Sequence, residues 1–164
     1  MSNINYSYDN IFDKIKNNSK VLDIRFDDTK VVSEKNISIS SINIKENLNN
    51  YLRENSKYDT IIFNQLFTNL KEDKINIILE KLKDISFQHT KIFFINNIIT
   101  NFNQYYYHPF SFLKIFGYPV YMENMYDNIR EHDMNIINSD RANSYNLITY
   151  PIETFIIICN FKNF

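Results

Sequence analysis

The stretch KYDTIIFNQLFTNL (Lys57–Leu70), with the helix and strand patterns after it, decides the fold. Thr60–Phe63 is a short apolar, partly β-branched run and predicts a buried strand. From about Glu72 to Ile85 the apolar residues Ile75, Ile78, Leu79, Leu82 and Ile85 fall on one stripe. That stripe predicts a helix with Glu72 or Asp73 capping its positive end. KIFFINNII (Lys91–Ile99) is apolar throughout and predicts a central strand covered on both faces. Strand, helix and strand in this order form a parallel crossover, the unit of an α/β sheet.

Upstream, Tyr8, Ile11, Phe12 and Ile15 fall at helical spacing, with Ser7 as the expected N-cap and Asn17-Asn18 as the turn that ends the helix. VLDI (Val21–Ile24) predicts a buried strand. NISISSINI (Asn36–Ile44) alternates, but Ile37 and Ile39 are out of phase with Ile42 and Ile44, which predicts a bend or bulge near Ser40-Ser41. KENLNNYLREN predicts a short helix. Downstream, Pro109 and Gly117 bracket a helix within the aromatic stretch Tyr105–Gly117. Met122, Met125, Tyr126 and Ile129 make another helix face. Strands are expected at Met134–Ile137 and Thr154–Phe161, with polar turn residues to Asn146 between them. Without a helical pattern between them, these two strands can pair as an antiparallel hairpin. The expected fold is α/β: a Rossmann-like, mostly parallel sheet with helices on both faces and a C-terminal hairpin, one domain over residues 1–164.

Composition narrows function. The chain has 164 residues and a formal net charge of -1, and its Lys and Arg are scattered rather than clustered, so charge does not indicate nucleic acid. The single cysteine, Cys159, sits in an apolar run and reads as a buried thiol in a reducing, cytoplasmic compartment, with host cytoplasm or an organelle as variants. No apolar leader follows Met1, and no run approaches the ~18 apolar residues of a membrane span. With one glycine, Gly117, the chain holds no phosphate-cradling glycine loop, which excludes ATPase, kinase and dinucleotide oxidoreductase readings. The bias toward Ile, Asn, Lys, Tyr and Phe reads first as AT-rich coding.

In four segments the sequence resembles class I S-adenosylmethionine-dependent methyltransferases. KVLDI (Lys20–Ile24) resembles the family's first strand, and ISISSINIKENL (Ile37–Leu48) the strand and loop with an adenine-contacting acid. KYDTIIFNQLFTNL resembles its fDvIi segment, and INIILEKLKDI with KIFFINNI the leucine-rich helix and strand that come next. The terminal hairpin also suits the family. The resemblance implies Asp23, Asn43, Asp59 and Gln65 as cofactor-binding residues if S-adenosylmethionine binds. For Asp23 and Asp59 the competing reading is a polar group at a strand end tying down a loop.

The departures lie in the front half. The family has a glycine turn after the first strand, because backbone must approach the cofactor there. Here RFDDTK (Arg25–Lys30) follows it, with Arg25 and Phe26 where small residues are expected. From Ile24 to Ile37 the chain is too short for a crossover helix, a second strand and a second helix, so the segment whose terminal acid holds the cofactor ribose is expected to be missing. Asn43 takes the adenine acid's position.

Weak catalytic candidates are His108 and Tyr107 in NQYYYHPF, and Asn64, which follows its strand on the sheet edge where ligands bind. For the histidine the plainer reading is an aromatic loop packed on the core. No histidine has metal-ligand spacing. Three functions follow. The favoured one is a degenerate methyltransferase-like domain acting as a binding, scaffold or regulatory subunit, with a protein partner or a second copy and no cofactor. The alternatives are an active methyltransferase with an atypical pocket, acting on a small molecule, sugar or nucleic-acid end, and a structural protein of a viral or organellar assembly.

Overall fold

A computed structural model describes residues 3–28, 30–44, 56–99, 120–147 and 150–163; the side chains of 3–7, 99, 142–147 and 150–152 are not described. The elements in chain order are α1 (Asn3–Asp13), β1 (Lys20–Arg25), β2 (Ser38–Asn43), β3 (Tyr58–Asn64), the single turn α2 (Leu66–Asn69) and α3 (Glu72–Lys81). After them come a 3₁₀ turn (Leu82–Ile85), β4 (Ser86–Ile99), α4 (Met122–Glu131), β5 (Met134–Leu147) and β6 (Tyr150–Phe161). The expected helices over KENLNNYLREN and Tyr105–Gly117 lie outside the described residues.

The six strands form one sheet in the order β2-β1-β3-β4-β6-β5. The first four run parallel, and β6 enters antiparallel between β4 and β5. This is the mostly parallel sheet and terminal hairpin that the sequence predicts. The hairpin is longer than expected. Strand β5 continues through the polar residues 138–146 with two register shifts, because an edge strand needs one row of backbone partners and tolerates polar side chains.

Both faces of the central strands are buried, as parallel sheets require. Leu22, Ile24, Ile61, Phe63, Ile92 and Phe94 face a large core under α3 and α4, while Val21, Ile62, Phe93 and Ile95 face a smaller one under α1. The expected stripe on α3 and its 3₁₀ extension is buried in full. The rings of Phe63 and Phe94 stack at 5.3 Å, and Phe67 meets Phe94 edge-on at 5.6 Å. Each such ring contributes about 1.5–3 kcal/mol by leaving water.

Three local expectations are corrected. Helix α1 starts at Asn3, so Ser7 lies inside it and does not cap it. Lys71, in extended backbone and without a side-chain hydrogen bond, is the N-cap of α3; Glu72 and Asp73 sit in its first turn. Strand β2 has no bulge, and its register with β1 is unbroken from Lys20↔Ser38 to Arg25↔Asn43. The change of phase comes from two buried faces: Ile37 and Ile39 pack on the α1 core, Ile42 and Ile44 on the α3 core.

None of the described residues between 26 and 37, the β1–β2 crossover, is helical. The crossover is tied to α1 by the Lys35 ammonium, which donates to the carbonyls of Phe12 (2.7 Å), Asp13 (3.3 Å) and Ile15 (2.8 Å). A cation there satisfies the unpaired, partly negative end of the helix.

Candidate functional site at the carboxyl edge of the sheet

Ligands of open α/β sheets bind outside the carboxyl ends of the parallel strands. Here that edge carries Arg25–Asp28 after β1, Asn43 ending β2, Asn64-Gln65 ending β3 and Asn96-Asn97 in β4. The sequence places a carboxylate, Asp23, within the apolar strand β1, and its side chain points to the α1 core. It is 0% exposed. A buried carboxylate requires hydrogen bonds or a counterion. Tyr8 on α1 donates its hydroxyl to Asp23 Oδ1 at 2.6 Å, Ser41 on β2 donates to Oδ2 at 3.2 Å, and Arg25 Nε lies 3.8 Å from Oδ2. The Asn64 side chain lies close enough to the Tyr8 hydroxyl to favour its ionised form slightly.

Arg25 is itself 2% exposed, and its guanidinium lies over the Tyr8 ring, 5.3 Å from the centroid. Its Nε is 3.6 Å from Asp27. Burial pushes the Asp23 carboxyl above its usual range, although the Tyr8 hydrogen bond and the Arg25 charge pull the other way. Burial first, and then the charge of Asp23, hold the Tyr8 hydroxyl well above the usual phenol value. On the opposite face of β1, Phe26 packs against the large core. The first turn of the expected cofactor loop is thus folded back into the protein on both faces.

A second cluster closes the edge between β3 and β6. Gln65 has a left-handed backbone (φ 60°), and its side-chain Oε1 accepts from the Asn97 amide at 3.0 Å and the Thr68 hydroxyl at 3.2 Å. Asn96 is 0% exposed; it accepts from the Phe67 amide (3.1 Å) and donates to Thr68 Oγ1 (2.9 Å). Thr154 on β6 donates to Asn97 Oδ1 at 2.8 Å.

Of the residues expected from sequence, Asp23 and Asn64 meet through Tyr8, while Gln65 stands apart in the second cluster. Asn43 donates to Asp28 Oδ1 at 2.8 Å. The β1–β2 register places Asn43 at the carboxyl end of the strand beside β1, the position that carries the ribose-binding acid in a doubly wound sheet. Asp59 lies at the opposite, amino edge. It accepts from the Lys20 amide (2.8 Å) and bonds His89 Nε2 (2.8 Å), so it ties down a strand end and does not join the other candidates. His108 and Tyr107 lie outside the described residues.

Tyr8, Arg25 and Ser41 were not among the sequence candidates. The signal for them was the acid inside VLDI, since a charge at a doubly buried strand position requires partners. Cys159 is buried, which pushes its thiol up to about 12 and leaves it protonated. Among the described residues no three His, Cys, Asp or Glu side chains are grouped to hold a metal, and no helix is long and apolar enough to cross a membrane.

No protein-family model and no curated protein sequence matches the chain. Solved structures do. A SAM-dependent methyltransferase from Archaeoglobus fulgidus superposes with a TM-score of 0.69 at 11% identity, over 96% of this chain and 93% of that one. One from Methanosarcina mazei gives 0.65 at 10% identity, over 93% and 97%. The 1,6-didemethyltoxoflavin-N1-methyltransferase of Burkholderia thailandensis, with 1,6-didemethyltoxoflavin and S-adenosylhomocysteine bound, gives 0.59 at 8% identity, over 90% of this chain and 72% of that one. With strand order, hairpin and these likenesses in agreement, the chain has the fold of the class I S-adenosylmethionine-dependent methyltransferases.

Proposed function

We propose that this domain works by binding, as a scaffold, partner or regulatory subunit, and transfers no methyl group. The observation that carries the reading is Arg25. Where this fold presents a glycine turn to its cofactor, a guanidinium is buried beside Asp23 and Tyr8, and Phe26 is packed on the core. The residues do not fit S-adenosylmethionine. A Cβ and a long side chain stand at the turn, and no described residue of the crossover offers a helix N-terminus to the edge. The Gln65 and Asn96 side chains, which could have met a ligand at this edge, are already bonded inside the protein, Gln65 to the Asn97 backbone amide and Asn96 to the Thr68 hydroxyl. The chain's partner is then a protein or a second copy of itself.

One observation favours a second reading, an active methyltransferase with an altered pocket. The Asn43 amide holds the Asp28 carboxylate at the end of β2 and so returns an acid to the ribose position. Calorimetric titration with S-adenosylmethionine and S-adenosylhomocysteine separates the two. The binding reading expects no heat up to millimolar ligand; micromolar binding to either compound overturns it.

A further inference from the structure

The amino edge of the parallel strands, opposite the candidate site, carries an insertion. Tyr58 pairs with Ser86 and Thr60 with Lys91, so β4 advances five residues while β3 advances two. A regular parallel pair advances residue for residue. Bulges of this kind re-aim side chains, and they gather at sheet edges and functional sites. Thr90 ties this one down: its hydroxyl accepts from the Phe87 amide at 2.7 Å and donates to the Tyr58 carbonyl at 2.6 Å.

The bulge presents two stacked rings to solvent. Phe87 is 38% exposed, and its centroid lies 5.2 Å from that of His89, with 6° between the planes. The His89 side chain is 68% exposed, and its Nε2 is bonded to Asp59 Oδ1 at 2.8 Å. Phe87 therefore covers one face of the imidazole, Asp59 fixes its orientation, and the other face is open.

Lysines that are scattered in the sequence are gathered around this stack. Lys57 Nζ lies 5.9 Å from the centre of the Phe87 ring. Lys20 Nζ lies 4.8 Å from the centre of the Tyr58 ring, and the Lys20 amide bonds the same Asp59 that holds His89. Lys91 is exposed at the end of the bulge. The acids of this stretch are Asp59, engaged by His89 and the Lys20 amide, and the exposed Asp84 of the 3₁₀ turn. Toward β6 the edge turns acidic, with Glu131 and Asp133 around Lys83, which bounds the basic stretch to β1, β3 and β4.

We propose that this edge binds single-stranded nucleic acid, with one base stacked on the open face of His89 and phosphates held by Lys20, Lys57 and Lys91. Every base has a π-face, so a fixed surface ring with cations on either side binds a single strand whatever its sequence. An acidic protein segment would meet the lysines but leave the ring face unused, and a duplex keeps its base faces inside its own stack. The methyl-transfer question concerns the opposite edge, so the two readings are independent.

The test is fluorescence anisotropy of the full chain with a short labelled oligouridylate. Binding is expected, with an affinity that falls as salt is added. Lys57→Ala and Lys91→Ala should each weaken it and lower the slope of log affinity against log salt by about 0.7, the value for one phosphate of a single strand. His89→Ala should weaken it at least about fivefold and leave that slope unchanged. All three positions are exposed, and an unchanged thermal midpoint checks that each variant folds. A duplex and polyglutamate are the competing probes. No binding of the oligouridylate, a His89→Ala variant that binds as the wild type does, or duplex or polyglutamate binding as tightly as the single strand overturns the proposal.

Discussion

Replacing Tyr8 with Phe removes one oxygen and leaves the ring in place. Tyr8 is 3% exposed, and its hydroxyl donates at 2.6 Å to a carboxylate that is 0% exposed. Apolar burial is therefore unchanged, and the loss is one hydrogen bond to a charged group, worth about 1.5–3 kcal/mol. Against a total stability of about 5–15 kcal/mol this is a large fraction. With a urea slope of about 2 kcal/mol/M, the midpoint at neutral pH should fall by about 1 M. The cost should depend on pH, and its sign follows from Asp23. The folded carboxyl is held above its usual range, by burial first, so its contribution to stability is present below the unfolded value and lost as pH rises through the folded one. Without Tyr8 the ionised form loses a donor, and the carboxyl rises further. The difference between wild type and Tyr8→Phe should then be largest at neutral pH and shrink as pH falls and Asp23 protonates. Urea melts followed by circular dichroism at pH 7.5 and at about pH 3, below the ordinary carboxylate value, read this difference directly, and a double-mutant cycle with Asp23→Asn isolates the pair. A cost below about 0.5 kcal/mol, or one that stays the same at both pH values, would refute the reasoning.

Lys35→Met removes the ammonium from three carbonyls at the end of α1 and should cost about 1 kcal/mol, read as a lower thermal midpoint. Asn96→Leu leaves the Phe67 amide without its acceptor and should cost about 1–3 kcal/mol in the same urea melts, with a shift under half of that arguing against the cluster's role. Phe94→Ala opens a cavity between Phe63 and Phe67 and should cost about 3–5 kcal/mol; a smaller loss means the site collapses. For Asp59, burial alone would raise the carboxyl, but the Lys20 amide and then His89 outweigh it and hold it below its usual range. Its contribution is present above the unfolded carboxylate value and lost as pH falls, so Asp59→Asn should cost about 1 kcal/mol at pH 7 and nothing near pH 2.

Periodicity made the central part of this fold readable. The α3 stripe and the apolar runs of β3 and β4 have one solution, because a doubly buried strand and a singly buried helix leave different patterns. Where two environments overlap, the pattern misleads. Ile37, Ile39, Ile42 and Ile44 look like a strand broken by a bulge, yet they line the two faces of a regular one. The polar half of β5 gives no strand signal, since its order comes from backbone pairing with β6. Lys35 is unreadable for a related reason: its role depends on where the crossover passes the end of α1, and nothing local encodes that. Asp59 was legible as a strand-end residue. It precedes Thr60–Phe63 in the chain, so in a parallel strand it must stand at the amino edge, away from any ligand.

The two polar clusters at the carboxyl edge bear on the same question from different sides. In a cofactor-binding sheet, polar groups at the strand ends keep part of their hydrogen-bonding capacity for the ligand, and the bound ligand stabilises the fold by mass action. Here the strand ends hold each other. Tyr8, Ser41 and Arg25 converge on Asp23, while Gln65, Thr68, Asn96, Asn97 and Thr154 link β3, β4 and β6. Such closure stabilises the sheet without any ligand, because every bond is intramolecular and present in the free protein. It also raises the cost of admitting one: a cofactor would have to displace bonds already made inside a low-dielectric site, where each is strong. On the binding reading proposed above, a sheet closed in this way at one edge keeps its shape while its other surfaces remain available for contacts.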